Sequence, residues 1–310
     1  MDKILIKSQL KTISKNKSLY FLLIPALLYF LVFKYIPMYG LIIAFKNVSP
    51  LAGFQEIFFG GTWAGLSNFQ KFINSPYFWN VFSNTITISI YNLVVTFPTP
   101  IILALIFNEI GNKFFKSTVQ TISYLPHFLS AVIITSLVYT LLSTDGGLIN
   151  ESLKAFTKEP IFFLGDSRYF RTILISMNLW STIGWGSIIY IAALTGVDVE
   201  LYEAAKIDGA GKLKQLIHIT IPGIISVIIV MLILKIGHIM DAGFENILLL
   251  YSPQVYDVAD IIDTFVYREG LGKLQFSYTT AVSLFKSVIG FALVIMTNSI
   301  AKKFDQKGIW

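Results

Sequence analysis

Six long apolar segments, too little charge to coat a soluble surface, and basic residues concentrated in alternate connections predict an all-α integral membrane protein with six transmembrane helices. The chain of 310 residues is 55% hydrophobic and 14% charged, against roughly 25% charged residues in soluble domains, and its mean hydropathy is +0.68. The apolar residues fall in unbroken blocks, the membrane pattern rather than the half-buried pattern of a soluble core.

A span needs about 20 mostly apolar residues to cross roughly 30 Å of hydrocarbon. Segments 18–45, 79–107, 119–142, 171–194, 223–249 and 279–301 meet that requirement. The first follows a basic stretch, as a signal peptide would, but its apolar run from Leu19 through Phe33 and on to Phe45 is too long for a signal core, so it reads as an uncleaved span. Lys34 and Pro37 predict that its far end bends or leaves the bilayer. Pro98 and Pro100 predict a kink in the second span, and Pro126 one near the start of the third.

Orientation follows from lysine and arginine. Lys3, Lys7, Lys11, Lys15 and Lys17 precede the first span, and Lys302, Lys303 and Lys307 follow the last. With both termini inside, segments 1–17, 108–118, 195–222 and 302–310 carry 13 basic residues, against 7 in the longer outer segments 46–78, 143–170 and 250–278. That asymmetry predicts a multi-pass membrane protein with cytoplasmic termini. The net charge of +6 forms no single patch, which argues against a nucleic-acid partner and for contact with membrane lipid. The chain has no cysteine, which removes disulfide frameworks and thiolate chemistry. His127, His218 and His238 are too scattered for metal-ligand spacing. No nucleophile elbow is present, and no catalytic constellation emerges. No internal repeat supports the inverted architecture of many secondary transporters.

The connection between spans four and five, 195–222, is long for an inner loop. Glu200 to Lys206 are good helix formers with acidic residues early, and Gly209 is placed to end the helix. A second helical stretch, Lys212 to Ile221, runs into Pro222. Leu201, Ala204 and Ala205 form a small apolar face that a partner groove can cover. Gly209-Ala210-Gly211-Lys212 is not a phosphate loop: Lys206 stands where the first glycine is required, and Leu213 where serine or threonine is.

Glu203-Ala204-Ala205, Asp208-Gly209, then Ile219, Ile221 and Pro222 together resemble the EAA loop of ABC-importer permeases, with Ile221 standing where the family pattern has leucine. The likeness extends along nearly the whole chain. Tyr35-Ile-Pro-Met38, Gly65-Leu-Ser-Asn68-Phe69, Asn84-Thr85, Leu125-Pro126-His127, Gly146-Gly147-Leu-Ile-Asn150 and Asp260-Ile-Ile-Asp263-Thr-Phe-Val-Tyr267-Arg268 resemble landmarks of carbohydrate-uptake permeases of the LplB type. The resemblance implies a type I ABC-importer (MetI-like) permease fold, with residues 1–17 a cytoplasmic segment, 18–310 a six-span domain with its core at about 79–301, and 195–222 the coupling loop. It also implies Glu203, Ala204, Ala205, Asp208, Gly209, Ile219 and Pro222 as the ATPase-coupling residues. The implied partners are a homologous second permease, two cytoplasmic ATPase subunits and an extracellular lipid-anchored binding protein that delivers an oligosaccharide. ATP and Mg would be consumed by the ATPases, with no cofactor bound by this chain. The competing readings are an ABC permease for another solute and an ATP-independent secondary transporter.

Polar residues inside the spans mark a candidate pathway. Lys235, His238, Asp241 and Glu245 are spaced three, three and four apart, which on an unbroken helix places them within an arc of about 120°. Such a stripe must face protein or water, either lining the route or closing an ion pair of Lys235 with Asp241 or Glu245. Asn178 and Trp180 lie at the matching depth of span four. Lys286 in span six either completes an ion pair or points into the cavity. For His127, beside Pro126, a local structural role is expected.

Overall fold

The computed structural model describes residues 16–49, 53–154 and 159–303. The expected N-terminal segment, apart from Asn16 and Lys17, and the tail beyond Lys303 lie outside the described residues. Five helices are long and apolar enough to cross a membrane, six if one sharply bent pair counts as a single span.

The first span, Lys17–Phe45, changes helix type along its length. An α-helix over Lys17–Phe30 widens to a π turn at Leu31–Tyr35, around Lys34, and tightens to a 3-10 helix at Tyr39–Phe45, just past Pro37. None of the residues Lys17–Phe30 is buried within this chain. Lys46–Asn47 then pairs antiparallel with Thr62–Trp63, and Phe45 stacks on Trp63.

The second span joins helices Phe78–Thr96 and Pro98–Glu109. Pro98 starts the second piece because its missing N–H and fixed φ suit a first helical position. The third span departs from the expected kinked rod. Helix Lys113–Tyr124 runs into a 3-10 turn at Leu125–Phe128, and helix Ala131–Leu142 leaves at 101°. Leu129 is extended, and the Ser130 hydroxyl accepts the Ile133 N–H at 3.3 Å, so a new helix is nucleated there.

The fourth span, Ser167–Leu194, is the central helix and packs along the second, third and fifth. Its glycines allow close approach: a Cβ on Gly184 would stand 2.0 Å from the Ser123 carbonyl oxygen, and one on Gly186 would stand 3.1 Å from Pro100. Tyr190 and Leu194 bury against Ala104 and Ile224 at this end of the bundle.

The fifth span also differs from expectation. It begins in the loop at Lys212 and ends at Gly237, not at residue 249. A 3-10 turn, Ile239–Asp241, leads to Ala242 (φ 50°) and Gly243 (φ 82°), both left-handed, before a separate short helix, Phe244–Leu250. The stripe expected on one continuous helix is therefore split by a reversal of the chain. The sixth span is Phe276–Lys303.

The tightest helix approach gives a direct check. Gly184→Ala forces a methyl against the Ser123 backbone, so spans three and four must separate. The expected penalty is about 1–3 kcal/mol, read as a fall of several degrees in the melting temperature of the purified protein.

Candidate functional site

Two regions gather the expected residues. The first is the loop between spans four and five. Asp198 caps helix Val199–Ile207 by accepting the Glu200 N–H at 2.9 Å. At its other end Asp208 is the last half-helical residue, and Gly209 turns left-handed at φ 74°. The Gly209 N–H donates to the Lys206 carbonyl at 3.0 Å and the Ala210 N–H to the Ala205 carbonyl at 2.8 Å. This double closure is a Schellman motif, which requires positive φ at the position glycine fills. Open space surrounds Gly209, so its requirement is conformational rather than steric.

Glu203 and Ala204 are exposed and Ala205 half-buried. Val199, Leu201, Ile207 and Leu213 also stand in the open. The knob is nevertheless fixed to the bundle. The Tyr202 hydroxyl meets the buried Thr220 hydroxyl at 2.9 Å, Thr220 donates to the Gln215 carbonyl at 3.3 Å, and the Gln215 amide donates to the Ala210 carbonyl at 2.8 Å. Lys212 pairs with Glu109, at the end of span two, at 2.6 Å. Ile219 lies half-buried in the π turn Leu216–Thr220, and Pro222 occupies the first turn of the helix that follows. Gly223 sits so close to Val197 that a Cβ would stand 2.9 Å from it, which fixes where the loop enters span five.

The second region is a cavity of about 240 Å³ between spans two, four and five. Asn178, Lys235 and His238 line it, joined by Ser89, Asn92 and Thr182. Asn178 is buried, and its side-chain oxygen accepts from Asn246 at 2.7 Å. The Ser89 hydroxyl donates to the Ile239 carbonyl, one of the groups freed where span five stops.

The remaining stripe residues lie elsewhere. Asp241 turns away to a neighbouring cleft, where Lys286 bonds it at 2.8 Å and bonds the two oxygens of Asp263 at 2.8 and 2.6 Å. His238 Nδ1 lies 3.3 Å from the other Asp241 oxygen. Burial pushes the Asp263 carboxyl up, and the Lys286 ammonium beside it opposes that shift. Neither ion pair expected of Lys235 forms, because the break rotates Asp241 toward span six. Glu245 is exposed on the short helix and does not line the cavity. Trp180 is 47% exposed and is likewise not among the lining residues. His127 stacks on Trp185 at 4.6 Å and 7°, beside the right-angle break of span three, in keeping with the structural role expected of it.

Sequence reasoning missed Asn92, Thr182, the pairing of Asp263 with Lys286 and the role of the landmark asparagines. Asn84 is buried and donates to the carbonyls of Asp257 and Asp260 at 3.0 and 3.1 Å, while its oxygen accepts from Arg171 at 2.7 Å. Thr85 accepts the Ile262 N–H at 2.9 Å. Asp260 pairs with Arg268 through bonds of 3.0 and 2.7 Å, and these keep the guanidinium protonated well above its ordinary range. Two separate stretches of the sequence pattern thus bind each other. Asn68 donates to the Ala44 and Lys46 carbonyls, and Asn150 donates to Ser143 and Ile161. Each asparagine closes backbone groups of a connection.

The bundle of membrane helices, with a capped loop at one end and a polar cavity inside it, has the architecture expected of a transport permease. The pattern of the "Binding-protein-dependent transport system inner membrane component" family matches residues 96–307, and the chain belongs to that family. It is a multi-pass inner-membrane component of a transport system, and the resemblance to ABC-importer permeases is borne out. The chain is 47% identical over 296 residues to the polygalacturonan/rhamnogalacturonan transport system permease protein YteP of Bacillus subtilis (strain 168), covering 96% of this chain and 91% of that protein. It is 44% identical to Protein LplB of the same organism, covering 98% of this chain and 94% of that one. Its fold matches a chain in the crystal structure of a bacterial alginate ABC transporter in complex with an alginate pentasaccharide-bound periplasmic protein, with a TM-score of 0.86, 38% identity, and coverage of 96% of this chain and 99% of that one.

The three-residue charge cluster carries a prediction. Lys286 is 14% and Asp263 21% exposed, so Lys286→Met strands a half-buried carboxylate. The expected loss is about 3 kcal/mol, seen as a clear drop in thermal stability. Asp241→Asn leaves both Lys286–Asp263 bonds in place and lowers stability much less.

Proposed function

We propose that this chain is the permease subunit of an ATP-driven importer that passes oligosaccharides, delivered by an extracellular lipid-anchored binding protein, across the plasma membrane. The observation that carries this reading is the exposed, doubly capped loop helix, whose matching residues fall between two spans, on a chain close in sequence to permeases named for polygalacturonan, rhamnogalacturonan and alginate systems.

In this reading Glu203, Ala204, Ala205, Asp208 and Gly209 form the surface that seats on a cytoplasmic ATPase subunit, with Ile219 and Pro222 connecting it to span five. One such loop per chain calls for a second, homologous permease and two ATPase subunits. The uncovered length of the first span supports a neighbour or lipid along it. ATP and Mg are bound and consumed by the ATPases, and this chain contributes no cofactor. Both termini lie on the cytoplasmic side with the loop, in accord with the lysine distribution. Asn178, Lys235 and His238 are assigned to the substrate route, and the positions of Trp180, Asp241 and Glu245 give them no part in the cavity.

The physical logic is a lever. The helix from Lys212 to Gly237 is about 39 Å long at 1.5 Å per residue and runs from the loop to the cavity. ATP-driven closure of the two ATPases presses the loops together, and this helix carries the displacement to the residues that line the route.

Reconstitution of the complete transporter in proteoliposomes tests the reading. Oligosaccharide uptake should require ATP and the ATPase subunits, and Glu203→Arg or Gly209→Trp should reduce it at least tenfold in permease that still folds. Uptake without any ATPase, or normal turnover in both variants, would contradict it.

A further inference from the structure

We propose that the cavity between spans two, four and five is a subsite for an acidic sugar, in which Lys235 pairs with a uronate carboxylate while Asn92 and its neighbours take the ring hydroxyls. The proposal rests on the oligosaccharide reading above and specifies the charge of the substrate.

Charge balance comes first. Lys235 lines the cavity, and no carboxylate does. Among the described residues no acidic side chain pairs with Lys235. Asp241, which helical spacing would bring to it, is held by Lys286 and faces another cleft. Lys235 is exposed in the chain on its own; within a span an ammonium favours a counter-ion over hydrocarbon, and an anionic ligand arriving in the cavity supplies one.

The polar groups opposite complete the chemistry. The Asn92 side-chain oxygen is buried and has no hydrogen-bond partner, although buried acceptors are almost always satisfied. A sugar hydroxyl is a donor of suitable size. Thr182 spends its proton on the Asn178 carbonyl at 2.7 Å, and Thr96 spends its own on the Asn92 carbonyl at 2.7 Å, so both hydroxyl oxygens remain acceptors. One cation and several acceptors on the facing wall match a hexuronate, which carries one carboxylate and several hydroxyls on a single ring. A neutral sugar leaves the cation unanswered.

Direct binding separates this site from delivery by the binding protein. Labelled galacturonate trimer is equilibrated with the purified permease–ATPase complex in detergent, without binding protein, alongside the same trimer with its carboxyls reduced to alcohols. The acidic trimer should bind wild type at least tenfold more tightly than the reduced one. Lys235→Gln should erase that preference, and Lys235→Arg should keep it within about threefold. Asn92→Leu should weaken both trimers. Equal binding of the two trimers by wild type overturns the proposal, as does a Lys235→Gln effect of the same size on both, or no measurable binding of either. Any of these results alongside intact ATP-dependent oligosaccharide uptake removes the subsite alone, whereas loss of uptake itself removes the broader reading.

Discussion

Inside a bilayer a helix can stop only where its freed carbonyls and N–H groups find partners within the protein, because the surrounding hydrocarbon supplies none. At the interruption of span five between Gly237 and Phe244, one freed carbonyl and two nearby side chains find partners on three other spans. Ser89 of span two donates to the Ile239 carbonyl, Lys286 of span six binds Asp241, and Asn178 of span four accepts from Asn246. The left-handed Ala242–Gly243 step reverses the chain between them. Without this break the stripe from Lys235 to Glu245 would be one face of a rod. With it, two members of the stripe line a cavity, one joins a charge cluster and one is left outside.

The same rule explains the asparagines that stand out in the sequence. Asn68, Asn84 and Asn150 are nearly inaccessible and bind main-chain carbonyls of the connections rather than open space. A carboxamide carries donors and an acceptor without net charge, so it can close a loop in an apolar setting at lower cost than an ion. The Asp260–Arg268 pair performs a related task, clamping the segment before span six under the ring of Tyr256, 5.1 Å from the guanidinium.

The apolar blocks were legible because hydropathy reports side-chain transfer, and the loop helix was legible because its early acidic residues and Gly209 are local start and stop signals. The break in span five was not, and in span three Pro126 marked a kink but not its 101° turn. Leu129-Ser130 and Ala242-Gly243 are two-residue steps, and the polar residues around the second, His238, Asp241 and Glu245, fall at helical spacing and so read as a stripe on a continuous helix. Their partners are distant: Asp241 takes its position from Lys286, 45 residues away, and Asn84 from Asp260, 176 residues away. A helical wheel drawn on one span contains neither. Of the residues expected on the pathway, those that line the cavity, Asn178, Lys235 and His238, precede the break, begin it or face it from a neighbouring helix.

The break in span five is therefore the central claim, and glycine tests it by the sign of an effect. In a continuous helix Gly243→Ala stabilises by roughly 1 kcal/mol, since alanine is the better helix former. At φ 82°, with a new Cβ 3.3 Å from the Asn178 amide, the same change should destabilise by about 1–2 kcal/mol. The melting temperature of the purified Gly243→Ala permease complex, compared with wild type, decides between them. A fall is the predicted result, and a rise would contradict the account.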